Sequence, residues 1–205
     1  MLASPVARAR TAARTVEFLW ARSPGATIAG GPVEEEEVRP LLTAEELLTK
    51  RGFSKEQIDL YTLGSEVYVR EAHCATCHQV DGTGLGRQYP PLTPSPWVAG
   101  NETRLIELTL LGLWGDLTLD WVTYPVETDK MPPMTGFKEI LDDREIAAVL
   151  TYVRNTFGND AKPVTPEAVA KARARFDERY MYMTVEEILE AHPITATEVE
   201  ENRNR

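Results

Sequence analysis

Cysteine is almost absent from this chain, with two in 205 residues, and histidine is nearly as scarce, with three. So few thiols exclude the disulfide-stapled scaffolds of small secreted proteins. Long apolar runs are missing as well. Near the N-terminus the longest apolar stretch, Val16-Glu17-Phe18-Leu19-Trp20, is already broken by a charge, so no transmembrane segment is read. Arg8, Arg10 and Arg14 are followed by no apolar h-region, so no secretory signal is read either. Basic charge is in deficit, with 22 Lys and Arg against 32 Asp and Glu, a formal −10. That balance argues against nucleic acid and against an anionic membrane surface, and it favours a partner with a basic docking face. Solubility alone is the simpler use of the same charge.

The two cysteines that are present lie together. Cys74-Ala75-Thr76-Cys77-His78 sets two thiols one turn of backbone apart with a histidine directly after them. This is the spacing of a covalent haem attachment site. One turn brings both sulfurs to one edge of a porphyrin, where they form thioethers with its vinyl groups, and the adjacent imidazole then lies under the iron. Chance produces the pattern in roughly 1 of 7,000 arrangements of these residues. A zinc site needs a second pair of Cys or His ligands, which the chain lacks. A redox Cys-x-x-Cys opens a helix after a strand in an α/β pattern, also lacking here. One covalent haem c is therefore expected, held by Cys74 and Cys77 with His78 as an axial ligand, and no disulfide. Covalent haem attachment takes place outside the cytoplasm, so a periplasmic or otherwise extracytoplasmic location is expected. With no leader read, the chain is expected to be a mature form, a domain cut from a longer polypeptide, or an engineered fragment.

Three regions are read along the chain. Residues 1–42 form an N-terminal extension or linker, Arg/Ala-rich at first, then broken by Gly30-Gly31-Pro32 and the acid run Glu34 to Glu37. Residues 43–160 hold the haem domain, and residues 161–205 a helical C-terminal extension. Thr43 with Glu46, Ser54 with Gln57, and Asp142 with Glu145 have capping-box spacing. They predict a short helix ending at Gly52, a helix over about 55–69, and one running to about Phe157 before Gly158. Asn101 caps a further helix over about 102–111, and Leu117 to Tyr124 allows a short hairpin. Gly82, Gly84, Gly86, Pro90, Pro91, Pro94 and Pro96 make 81–96 a loop. The helix after Asp142 carries Ile146, Val149, Leu150 and Val153 on one stripe and Ala148 and Tyr152 on another, so it packs on two sides. Beyond Gly158, Thr165 and Pro166 open a helix to about Arg179, Thr184 opens another to about Ala191, and the polar tail to Arg205 is expected to fray. The fold class is all-α.

Over about residues 55–158 this order of elements resembles a class I mono-haem cytochrome c: a helix into Cys-x-x-Cys-His, a Pro-rich loop, a middle helix, Met-Pro, and a closing helix. The resemblance implies a helix crossing of Gly64 and Tyr68 against Tyr152, with about two more residues than usual between Tyr68 and Cys74. It implies that the Pro90 carbonyl accepts a hydrogen bond from His78, with Leu92 and Trp97 packed near the ring. It also implies that Met131, in Met131-Pro132-Pro133-Met134, supplies a thioether to the iron opposite His78. Such a soft, neutral ligand favours ferrous iron and raises the potential. Met134 is expected to be a core residue, and His73, His192, Met181 and Met183 are the remaining candidates for that face.

The function so implied is electron transfer rather than catalysis, as a subunit or dedicated partner of a periplasmic or respiratory redox complex. The electron port would be the haem edge near residues 74–78. The rival reading is a haem enzyme or gas sensor with an open or labile distal site; the sequence offers no distal His/Arg pair for it. A third reading, a one-haem structural subunit of a larger respiratory assembly, overlaps the first. In the C-terminal extension, Val169, Phe176, Tyr180, Tyr182, Ile188 and Leu189 are too many apolar residues for a free tail. They are expected to pack on the haem domain or on a partner.

Overall fold

Residues 42–71, 73–119, 122–124 and 132–203 are described in the computed structural model. The N-terminal extension with its Glu34–Glu37 run, and Met131, lie outside these residues. The helices are α1 (Ala44–Lys50), α2 (Lys55–Tyr68), α3 (Cys74–His78), α4 (Pro96–Ala99), α5 (Glu102–Leu111), α6 (Asp143–Val153), α7 (Pro166–Arg175), α8 (Val185–Ala191) and α9 (Ala196–Arg203). Among the described residues five short strands accompany them: β1 (Gly112–Trp114), β2 (Leu117–Leu119), β3 (Val122–Tyr124), β4 (Met134–Thr135) and β5 (Met183–Thr184). The fold is mostly helical.

Local chemistry sets the helix starts. Capping boxes close reciprocally at Thr43/Glu46, Ser54/Gln57, Asp142/Glu145 and Thr184/Glu187, each satisfying backbone donors that the first turn leaves free. Pro166 at the first helical position after Thr165 starts α7.

The central packing is α2 against α6. Gly64 sits at the crossing, where a Cβ would run into the Ala148 carbonyl and come within 2.8 Å of the Tyr152 Cβ. The missing side chain is what lets two backbones approach. Around this point Tyr68 and Tyr152 lie 5.3 Å apart, Tyr61 and Tyr152 5.2 Å, and Tyr68 and Phe157 5.3 Å, all tilted, as aromatic quadrupoles prefer. Ile146, Ala147, Ala148, Val149 and Val153 of α6 are all buried, which accounts for its two apolar stripes.

Residues 161–203 share this core. Val164, Val169, Ala172, Met183 and Ile188 are buried in the same cluster as α5 and α6, with Phe176 and Leu189 packed on its edge. Fully burying a Val or Ile side chain contributes about 1.5–3 kcal/mol, so these residues stabilise an intramolecular arrangement. Tyr180 and Tyr182, expected to pack on the haem domain or on a partner, are exposed in this chain. A three-stranded sheet in the order β4-β1-β5 joins the regions: β1 pairs antiparallel with β4 (Leu113 opposite Met134) and parallel with β5 (Leu113 opposite Met183). The hairpin read at Leu117 to Tyr124 is present as β2 against β3.

Two expectations change. The helix after Pro166 stops at Arg175 rather than Arg179, and the carbonyls of Phe176, Asp177 and Arg179 past its end accept from the Lys138 ammonium. The described part of the tail, to Arg203, does not fray. It forms α9, with Thr195 and Glu198 bonded reciprocally at its start and Glu198 anchored on Arg104.

Candidate haem site

The attachment motif is itself a helical turn, α3, so Cys74 and Cys77 stand one turn apart with His78 next. Neither cysteine is in a disulfide, and both are half-buried. Burial pushes the Cys74 thiol up to about 11, so it is protonated at neutral pH. The chain leaves the turn through Gln79, at φ +63°, a left-handed conformation unusual for a residue with a side chain. Two contacts hold it there: the Tyr68 hydroxyl donates to the Gln79 carbonyl at 2.6 Å, and the Gly82 amide donates to the same oxygen at 3.2 Å.

The loop that follows folds back on the motif. The Gly84 amide donates to the His78 carbonyl at 3.0 Å, and the Leu92 amide to the Gly82 carbonyl at 2.7 Å. Gly84 has φ +69°, and a Cβ there would meet the backbone of Tyr89 and Pro90. The tight return that glycine permits brings the Pro90 carbonyl to 2.8 Å from His78 Nδ1, which donates to it. Burial lowers the His78 pKa, and the Pro90 hydrogen bond only partly opposes this. The imidazole is therefore neutral at neutral pH, the form that binds metals, and with Nδ1 engaged, Nε2 is the nitrogen left for one.

Leu92 is half-buried against the core. Trp97 is buried in α4, with the Arg104 guanidinium 5.7 Å from its ring centre. Met134 is fixed in β4 with its side chain against the core. Met183 is buried in β5, while Met181 is exposed. His192 is committed elsewhere, its Nε2 lying 2.9 Å from Glu107 Oε2. His73 places Nδ1 2.9 Å from the Glu71 carbonyl and its ring 5.6 Å from that of Phe137. No group of three or more His, Cys, Asp or Glu side chains among the described residues is placed to hold a bare metal ion.

Sequence reasoning passed over three contributors. Gln79 carries the strained exit from the motif. Phe157, also at positive φ, lays its ring where any side chain on Gly82 would sit. Asn159 donates from Nδ2 to the Leu92 carbonyl at 2.7 Å and to the Val153 carbonyl at 2.9 Å, tying the loop to the end of α6. Only the Phe-Gly-Asn run after a helical pattern hinted at them. Two free thiols one turn apart, a neutral imidazole oriented through Nδ1, and a glycine cradle that a side chain would block fit a covalently held haem.

Comparison with known proteins agrees with this geometry. The Cytochrome c family model matches residues 61–157. Cytochrome c-552 of Thermus thermophilus is 34% identical over 123 residues, covering 55% of this chain and 85% of that protein. The cytochrome c subunit of the quinone alcohol dehydrogenase of Gluconobacter oxydans is 37% identical over 102 residues, covering 48% of this chain and 19% of that subunit. The gluconate 2-dehydrogenase cytochrome c subunit of Pantoea cypripedii is 35% identical over 113 residues, 54% of this chain and 24% of that subunit. The chain thus spans about a fifth to a quarter of the length of the dehydrogenase subunits it matches.

Proposed function

This chain belongs to the cytochrome c family, and from that premise we propose that it carries single electrons through one covalent haem c, as the cytochrome partner of an extracytoplasmic dehydrogenase or oxidase. The observation that carries the reading is the pinned, neutral His78 one residue beyond two free thiols. The haem, once bound, supplies a ferric/ferrous couple. Cys74 and Cys77 hold it by thioethers so that it is not lost between turnovers. His78 would present Nε2 to the iron, with Pro90, bonded to Nδ1, fixing the plane of the imidazole and raising its basicity. Leu92 helps keep water from the ring. Met131 would supply a neutral thioether as a second ligand to the iron. Support for Met131 comes from its rivals: Met134 packs against the core, Met183 is buried in β5, and His192 is engaged by Glu107.

In this reading residues 43–160 make the haem domain, between an N-terminal linker and a C-terminal helical extension. The partnership rests on relatives that are cytochrome subunits of alcohol and gluconate dehydrogenases. The formal −10 charge suits a partner with a basic face. No helix of the described residues is long and apolar enough to cross a membrane.

The deciding experiment is the optical spectrum of the matured protein in both oxidation states, with acid–acetone extraction and intact mass. We expect haem that stays on the polypeptide, a low-spin spectrum, and a sulfur–iron band at the red end of the ferric form. Extractable haem would overturn covalent attachment. A high-spin ferric spectrum that binds cyanide at once would favour the haem enzyme or gas sensor instead.

A further inference from the structure

Residues 154–162 leave the end of α6, turn, and come back to it, and one buried side chain closes the base of the turn. The Arg154 carbonyl accepts from the Ala161 amide at 3.1 Å, and its Nε donates to the Lys162 carbonyl at 3.0 Å. Its terminal nitrogen Nη1 donates to the Val98 carbonyl at 2.8 Å and to the Gly100 carbonyl at 3.2 Å, which fixes the same base to the end of α4. A guanidinium held by three carbonyls leaves the turn little freedom.

The tip of the turn, Phe157-Gly158-Asn159, meets the loop that returns to His78. The Phe157 ring fills the space that a side chain on Gly82 would need, and a Cβ on Gly158 would lie 3.4 Å from the Pro94 ring. Phe157 keeps its left-handed backbone, φ +56°, because the same ring also stacks on Tyr68 and Tyr152. Asn159 Nδ2 donates to the Leu92 carbonyl at 2.7 Å and to the Val153 carbonyl at 2.9 Å. Both acceptors are carbonyls, so only the NH2 of the amide can face them. Asn159 is 5% exposed, and bulk water cannot stand in for these bonds.

The contacts continue to the imidazole. The Leu92 amide donates to the Gly82 carbonyl at 2.7 Å, which pins the two sides of the loop to each other. Two residues before Leu92, the Pro90 carbonyl accepts from His78 Nδ1 at 2.8 Å. Pro90 and Pro91 have their φ angles locked by their rings, so little play separates the Leu92 anchor from that carbonyl. Every link from Asn159 to His78 is therefore a hydrogen bond or one stiff dipeptide.

We infer that Asn159 is a positioning residue for His78: through the Leu92 carbonyl it holds the Pro90 carbonyl against Nδ1–H, and so sets how strongly the imidazole donates to the iron. This rests on the proposed ligation of the haem iron by His78. A firm hydrogen bond at Nδ1 gives the ring more anionic character and makes Nε2 the better donor, which favours ferric iron. A slack one does the reverse. Asn159 thus lowers the potential although its side chain bonds only to the Leu92 and Val153 carbonyls.

The test uses the full-length holoprotein. It reads, by proton NMR, the rate at which the His78 Nδ1 proton exchanges with solvent, together with the midpoint potential and the melting temperature. Asn159→Leu, which nearly keeps the volume and removes the donor, should speed the exchange on the order of tenfold and raise the potential. Asn159→Gln, which keeps the amide, should recover part of both. Leu48→Ala, a buried substitution in α1, should lower the melting temperature and leave exchange and potential unchanged. Should Asn159→Leu fail to mature, Asn159→Ser carries the same test, because a hydroxyl has one proton and cannot serve both carbonyls. A variant that melts lower with wild-type exchange and potential would overturn the inference, and so would faster exchange at an unmoved potential. His78→Ala separates the two readings: a low-spin spectrum retained there would overturn the ligand assignment itself, whereas its loss there with an unaffected Asn159→Leu would overturn the positioning role alone.

Discussion

The Tyr68 hydroxyl donates to the Gln79 carbonyl at 2.6 Å, tying the last turn of α2 to the residue directly after His78. Burial, first of all, pushes the Tyr68 pKa well above its ordinary value, so the phenol keeps its proton and stays a donor. The same ring stacks on Tyr152 of α6 and on Phe157, and Phe157 covers Gly82 in the loop that returns to Pro90. The helix crossing and the haem motif are therefore parts of one packed unit. A shift of α6 relative to α2 would be felt at Gln79, and through it at His78.

Gly64 is the sharpest test of that crossing. Gly64→Ala forces a Cβ into the Ala148 carbonyl, backbone that cannot step aside, and we expect a loss of about 3 kcal/mol or more in denaturant unfolding. Gly52→Ala is the comparison. A Cβ there meets nothing within 4 Å, so only the left-handed φ of +83° is penalised, at about 1–2 kcal/mol. Equal losses would mean that the close approach at Gly64 contributes nothing special.

Helix starts, the haem motif and the α2–α6 crossing were legible because each is local or carried by a few residue types at fixed spacing. What could not be read is what distant segments do to one another. Arg104 and Glu107 on α5 look like solvated charges in the sequence, yet both are fully buried. They are buried because the extension brings partners: Glu198 Oε1 at 2.6 Å and the His192 carbonyl at 3.0 Å to Arg104, Arg175 at 2.5 Å and His192 Nε2 at 2.9 Å to Glu107. Strands of two residues, such as β4 and β5, carry no periodicity at all. At the haem site Pro90 could be placed by resemblance, whereas Gln79 and Asn159 act through backbone carbonyls, which leave no mark on side-chain pattern.

The extension should behave as part of the core. Ile188 is fully buried, so Ile188→Ala should cost about 2–5 kcal/mol. Met181, which is 73% exposed only seven residues earlier, should give a change within about 0.5 kcal/mol on replacement by Ala. Thermal or denaturant unfolding of the isolated protein checks both. If Ile188→Ala left stability untouched, the helices beyond Gly158 would have to serve a partner instead.

Acid should loosen the same region through Glu198. Burial alone would raise its pKa, but hydrogen bonds from the Thr195 amide, from Arg104 and from the Asn101 amide outweigh this and hold it below the ordinary value. A carboxyl lowered on folding stabilises the native state above its unfolded pKa, and that stability is lost as pH falls through the folded one. Glu198→Gln should therefore cost about 2 kcal/mol at neutral pH, and the gap to wild type should narrow below about pH 4.5. Denaturant titrations of both proteins across this range measure it. A gap independent of pH would show that the Glu198 charge does not contribute.

Met131 and Met134 stand three residues apart, and only one can serve the iron. Met134 is held by strand pairing to Leu113, with its side chain against the core. Drawing its sulfur to a metal would withdraw that side chain from the core. Met134→Leu, which nearly conserves volume, should thus cost under about 1.5 kcal/mol and leave the sulfur–iron band and the potential in place. Met131→Ala should abolish the band, lower the potential, and give the ferric protein new affinity for cyanide and the ferrous protein for carbon monoxide. A band that disappears with Met134→Leu and survives Met131→Ala would reverse the assignment.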